Sequence, residues 1–93
     1  METLKGYRDR IDDIDAKIRE LFLERMTIVD QIAKAKMEKD MQIYDSSRED
    51  QVKKKNLNAV KQEEYKEYYS EVLETILKVS KDFQRALIFR SAQ

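Results

Sequence analysis

The sequence of 93 residues contains no cysteine, histidine, proline or tryptophan, and it contains a single glycine. Without cysteine there is no disulfide framework, thiol nucleophile or thiolate metal site, and without histidine the commonest general base is missing. One glycine cannot supply a glycine-rich phosphate loop. Because all-β chains need many tight turns, this composition predicts one all-α domain over residues 1–93.

Charge is abundant but evenly balanced, with 19 basic and 19 acidic side chains and a formal net charge of zero. Neither half of the chain is a basic lobe, so we expect no nucleic-acid partner. No apolar stretch approaches the ~20 residues of a membrane-spanning helix, and the first residues contain no apolar signal core. We therefore expect a cytoplasmic protein without a membrane partner.

Apolar residues in the first third of the chain recur at alternating spacings of three and four, which is typical of a heptad pattern. They are Leu4, Tyr7, Ile11, Ile14, Ile18, Leu21, Ile28, Ile32 and Ala35. The pattern predicts a first helix from Leu4 to Lys39, about 50 Å long at ~1.5 Å per residue. A compact chain of this size has a radius of gyration of only ~12 Å, so the helix is too long to bury this row alone. We therefore expect a homodimer.

The remainder of the chain predicts a connector and two further helices. Residues 40–47 break the heptad pattern, and Ser46 followed by Glu49 fits a capping box. The second helix is expected from about residue 47 to 57, and a turn is expected within residues 56–62. Helical spacing of apolar residues then predicts a third helix that begins near Gln62.

Two cations stand on the inward face of the first helix. Arg25 occupies the heptad row of Leu4, Ile11, Ile18 and Ile32, where an unpaired charge is costly. It either extends to solvent, pairs with a carboxylate such as Asp45 or Glu49, or binds an anionic ligand. Lys36, three turns later, points within ~20° of the same direction, and is either an ordinary exposed lysine or a second ligand contact.

Three further polar residues lie near apolar positions. Arg8 sits one residue past the heptad row and is either a surface residue or, in an antiparallel dimer, a contact to the partner chain. Ser80 and Gln84 lie four apart on an apolar face of the third helix. Such a pair is either a buried hydrogen-bonded link between helices or a ligand contact.

Asp45, Arg48 and Glu49 cluster where the second helix begins. The capping box accounts for Glu49, whereas Arg48 in the first turn opposes the helix dipole and favours a nearby carboxylate. The sequence shows no nucleophile–base pair, metal-binding cluster or carboxylate dyad. An enzyme built from these residues would rely on positioning and electrostatics.

Taken together, these positions resemble the all-α AroQ class of chorismate mutase over nearly the whole chain. The resemblance rests on Arg8-x-x-Ile11-x-x-Ile14-Asp15-x-x-Ile18-x-x-Leu21-x-x-x-Arg25, Ile32-Ala33-x-x-Lys36, Ile43-x-Asp45-x-x-Arg48-Glu49 and Ser80-x-x-x-Gln84. It implies three helices, long, short and long, in an intertwined homodimer whose active sites each draw on both chains. One departure is Gln42, where many members of the family have proline.

The activity implied by this resemblance is the pericyclic rearrangement of chorismate to prephenate, without cofactor, metal or covalent intermediate. Lys36 and Gln84 match the residues that contact the ether oxygen of the substrate. Arg25 matches an arginine that binds a substrate carboxylate, and Arg8 matches the arginine that the partner chain donates to the chorismate dianion.

The remaining matches concern the substrate hydroxyl and the second carboxylate. Glu49 and Asp45 match residues near the hydroxyl, Arg48 matches an arginine in that network, and Ser80 matches a serine near a carboxylate. Two other functions stay open: an isochorismate-pyruvate lyase on the same fold, and a helical dimerisation or regulatory module without turnover.

Overall fold

The computed structural model describes residues 3–92, so residues 1, 2 and 93 of the predicted domain lie outside the described residues. Three helices account for nearly all of it: α1 (Leu4–Glu38), α2 (Ser46–Ala59) and α3 (Glu63–Ser91). The predicted all-α chain of three helices is confirmed, and α1 ends within one residue of its predicted end. None of the three is long and apolar enough, over the described residues, to cross a bilayer.

The end of α1 is closed by a Schellman motif, which the sequence did not predict. Asp40 adopts φ 53°, the left-handed conformation usually given to glycine. Its N–H donates to the carbonyl of Met37, and the N–H of Met41 donates to the carbonyl of Lys36 at 2.8 Å. Aspartate tolerates this conformation better than most residues do, so the chain turns sharply here without glycine.

The predicted cap of α2 was wrong by one residue. Asp45, not Ser46, is the N-cap, and its Oδ1 accepts a hydrogen bond from the N–H of Arg48 at 3.0 Å. Both residue types cap helices well, but the carboxylate also places a negative charge at the positive end of the helix dipole. The helix begins at Ser46 and ends at Ala59, slightly longer than the predicted 47–57.

The small core lies where α1 crosses α3, and α2 packs against α3 beside it. Its buried apolar residues are Val29 and Ala33 of α1 and Leu73 and Leu77 of α3. Ala33 has no accessible surface, and a side chain this small allows a neighbouring helix to pack closely on α1. This crossing fixes the relative positions of the polar side chains on the two helices.

Most of the apolar row of α1 lies outside this core. Its exposed members are Leu4, Tyr7, Ile11, Ile14, Ile18, Leu21, Ile28 and Ile32. The chain measures 57 × 26 × 14 Å and has a radius of gyration of 16.9 Å, well above the ~12 Å of a compact globule. The helix is therefore too long for its own chain to cover, as its length predicted.

Candidate active site

A cavity of about 280 Å³ lies among α1, α2, α3 and the connector between α1 and α2. Seven of the eight predicted site residues line it: Arg25, Lys36, Asp45, Arg48, Glu49, Ser80 and Gln84. Arg8 does not line it. Arg25 follows Arg8 by seventeen positions of α1, a distance of about 26 Å along the helix, so Arg8 cannot reach the cavity of its own chain.

Arg25 enters the cavity wall through a contact with α3. Its Nη1 donates a hydrogen bond to Oγ of Ser80, and the Ser80 hydroxyl donates in turn to the carbonyl of Ile76 at 2.9 Å. Within residues 3–92, Arg25 forms no ion pair with a carboxylate. The proposed pairing with Asp45 or Glu49 is therefore absent, and the other guanidinium N–H groups remain as donors to an anion.

The ammonium group of Lys36 links α3 to the connector between α1 and α2. Nζ donates to the carbonyl of Ile43 at 2.7 Å and to Oε1 of Gln84 at 3.1 Å. An ammonium has three donors, so one remains for a ligand. Because Oε1 of Gln84 accepts from Lys36, the amide nitrogen is the end of this side chain that can donate to a ligand.

Ser80 and Gln84 are both buried, at 6% exposure each. They form the hydrogen-bonded links between α1 and α3 that one interpretation of their spacing predicted. These links also aim cationic groups at the cavity, so a structural role for the pair is compatible with a role at the site.

Lys81 is a lining residue that the sequence analysis missed. Its Nζ lies 3.0 Å from Oε2 of Glu49, and it lies 5.0 Å from the ring centroid of Tyr44. The side chains of Lys81 and Glu49 are only 23% and 15% exposed. The side chain of Glu49, which was predicted to form a capping box with Ser46, thus forms an ion pair with Lys81 of α3 instead. One signal was available: Lys81 lies three residues before Gln84, within reach of the same face.

The lining is cationic overall. Arg25, Lys36, Arg48 and Lys81 oppose two carboxylates, those of Asp45 and Glu49, which leaves two formal positive charges at neutral pH. Apolar residues of all three helices complete the wall. A small anion with an apolar body fits such a cavity, because low-dielectric surroundings strengthen charge pairing.

Two side chains outside the cavity have shifted pKa values. The hydrogen bond from Lys78 lowers the pKa of Asp82, and the hydrogen bond to Glu74 raises the pKa of Lys53. Asp82 is exposed, Lys53 is half-buried, and neither lines the cavity, so these pairs act at the helix surface and not at the site. Among residues 3–92, no group of three or more acidic side chains is arranged to hold a metal ion.

Three helices around a cavity with cationic hydrogen-bond donors define a helical protein suited to a small anionic ligand. Residues 7–85 match the family model described as chorismate mutase type II, and this range includes all eight predicted site residues. The chain belongs to that family, which is a family of isomerases.

One curated relative is the T-protein of Haemophilus influenzae, which is 39% identical over 49 residues. The match covers 53% of this chain and 13% of the relative, so the chain spans only a small part of that protein. No solved structure matches the chain significantly.

Proposed function

We propose that this chain catalyses the rearrangement of chorismate to prephenate in the cavity between its helices. The observation that carries the proposal is the convergence of Lys36 and Gln84. Nζ of Lys36 donates a hydrogen bond to Oε1 of Gln84 at 3.1 Å, and each side chain retains a donor for a ligand. Membership of the chorismate mutase type II family supports the same reaction.

The chemistry requires donors at one particular atom. The rearrangement breaks a C–O bond while a C–C bond forms, so negative charge develops on the ether oxygen in the transition state. Donors held at that oxygen in advance bind the transition state more tightly than the substrate. The third N–H of Lys36 and the amide of Gln84 are the proposed pair.

The magnitudes leave room for a second contribution. A hydrogen bond to a charged group contributes about 1.5–3 kcal/mol, whereas a ~10⁶-fold acceleration needs about 8 kcal/mol. Two donors therefore supply about half. Holding chorismate in its reactive conformation supplies the rest, and this is the proposed work of the groups that bind its carboxylates and hydroxyl.

Those groups divide by charge. Arg25, held by Ser80, and Arg48 are the proposed contacts of the carboxylates. Asp45 and Glu49 carry acceptors and are proposed for the hydroxyl. No step uses a nucleophile or a proton acceptor, in keeping with a reaction that transfers no proton.

We further propose that the active form is an intertwined homodimer in which Arg8 of one chain serves the cavity of the other. Two observations support this arrangement. The apolar row of α1 is exposed on the single chain, with Leu4 and Leu21 each at 64%. Arg8 lies on that same helix, too far from its own cavity to act there. A second α1 laid along the row would bury it and bring an Arg8 with it.

The test is the loss of chorismate absorbance together with identification of prephenate, for the protein and for Arg25→Ala. Arg19→Ala is the matched control, since Arg19 lies exposed on the same helix outside the cavity. We expect saturable turnover that survives in Arg19→Ala and falls at least about 100-fold in Arg25→Ala.

Three results would contradict the proposal. Pyruvate released from isochorismate, without conversion of chorismate, would identify a lyase. A folded dimer without turnover of either substrate would identify an interaction module. Equal losses in the two arginine variants would show that Arg25 does not act at the site.

A further inference from the structure

We propose that Lys81 is a specificity-determining residue that adapts this cavity to doubly charged ligands. This inference deepens the proposed function and rests on it for the identity of the ligand. Its basis is the place of Lys81 at the junction of three segments, where it touches Glu49 of α2 and Tyr44 of the connector.

The position of the ammonium group is fixed from two sides. Nζ lies 3.0 Å from Oε2 of Glu49, and the Tyr44 ring lies 5.0 Å from it. A cation over an aromatic face is attracted to it, and the ion pair is largely shielded from water. An ordinary surface lysine would be free to move, whereas this one is held at the cavity wall.

The charge of the lining depends on this residue. With Lys81 the lining of the single chain carries two more cations than carboxylates, and the Arg8 proposed to come from the partner would add a third. Without Lys81, the charge of Glu49 is no longer offset and this excess falls by one. In a cavity partly shielded from solvent, such a difference acts on every anion inside, and more strongly on a dianion than on a monoanion.

Glu49 gains from the same contact. A carboxylate alone at the wall would repel the carboxylates of the ligand. Paired with Lys81, it keeps its second oxygen as an acceptor for a hydroxyl while its charge is offset. Lys81 thus allows a carboxylate oxygen of Glu49 to serve as a hydrogen-bond acceptor in a cavity that binds anions.

The experiment compares Lys81→Met with the native protein, using chorismate, its monomethyl ester and the product dianion prephenate. Methionine keeps an unbranched chain of similar length and removes the charge. Lys81→Arg tests rescue by a cation. Lys78→Met is the matched control, since Lys78 lies three residues away on α3 and pairs with Asp82 outside the cavity.

We expect Lys81→Met to raise KM for chorismate and Kd for prephenate roughly tenfold, with kcat changed much less. Binding of the monoester should weaken by at most about threefold. The ratio of the affinities for dianion and monoester should therefore be smaller in Lys81→Met than in the native protein. The difference from the native protein should shrink at high salt, because ions screen charges at a partly open site. Lys81→Arg should restore most of the affinity, and Lys78→Met should match the native protein.

The proposal is overturned if Lys81→Met weakens dianion and monoanion equally, or lowers only the melting temperature. Its failure is separable from failure of the proposed reaction. A native protein that binds prephenate without turning over chorismate, and that loses this binding in Lys81→Met, would refute the mutase and uphold Lys81. Absence of both turnover and prephenate binding would refute both.

Discussion

A mixing experiment with two inactive variants tests whether each active site is built from two chains. Arg8→Ala removes the cation proposed to come from the partner, and Lys36→Ala removes a donor that lines the chain's own cavity. Because about 26 Å of helix separates Arg8 from Arg25, no single chain can bring Arg8 to its own cavity. In a mixed dimer, both defects therefore fall in the same site, that of the Lys36→Ala chain, and the other site keeps both residues.

The expected magnitude follows from counting sites. Random pairing of equal amounts gives about half mixed dimers, and each mixed dimer contains one intact site, so about a quarter of all sites recover. Each parent alone should lose at least about tenfold in kcat/KM, as expected for the loss of a charge-assisted contact. Activity is measured before and after the chains are unfolded together and refolded.

The matched control places both substitutions in one chain and mixes it with the native protein. There, a mixed dimer has no intact site, so active sites fall from about half before exchange to about a quarter after it. The two mixtures should thus approach the same activity from opposite directions. Differently tagged chains show whether mixed dimers have formed. If they have, a first mixture that stays inactive and a second that keeps about half of its active sites would refute the shared site.

Three further substitutions test the local geometry. Gln84→Glu replaces the neutral donor next to Lys36 by a group that donates only when protonated. The kcat of the variant should fall at least about 100-fold near pH 7.5 and recover in part below about pH 5. The kcat of the native protein should vary little between about pH 6 and pH 8. A flat profile for the variant would contradict the donor role. Asp40→Gly should raise the free energy of unfolding by about 1 kcal/mol, seen as a higher melting temperature at fixed concentration, because glycine adopts positive φ without strain; an unchanged or lower value would mean that φ 53° at Asp40 carries no strain. Ser80→Ala removes the acceptor that holds Arg25, so KM should rise more than kcat falls, with about 1 kcal/mol lost in denaturant unfolding. An unchanged KM would show that Arg25 needs no such support.

Much of the fold could be predicted because its strongest signals are periodic. The spacing of apolar residues located α1 to within one residue of its end, since a long uninterrupted pattern has few alternatives. The ends of α2 were harder, because Asp45 and Ser46 are adjacent and both are good caps. The Schellman motif escaped prediction because Asp40 stands where glycine is usual.

The candidate site could be predicted where a polar residue broke an apolar pattern. Arg25, Ser80 and Gln84 occupy such positions, and all three line the cavity. What the pattern could not supply were their partners, because a helix crossing decides which side chains meet. The hydrogen bond from Arg25 to Ser80, where a carboxylate had been one of the expected partners, depends on the packing of α1 against α3.

Lys81 shows the limit of that method most clearly. It breaks no pattern, since lysine is ordinary beside the apolar face of a helix, and within α3 only its spacing of three residues from Gln84 distinguishes it from Lys78. The difference lies in what each lysine meets: Lys78 meets Asp82 of its own helix, whereas Lys81 meets Glu49 of another. A contact between helices turns one of two similar lysines into part of the cavity wall. The charge of the candidate site is therefore a property of the packed fold, and reading the helices one at a time leaves out one of its four cations.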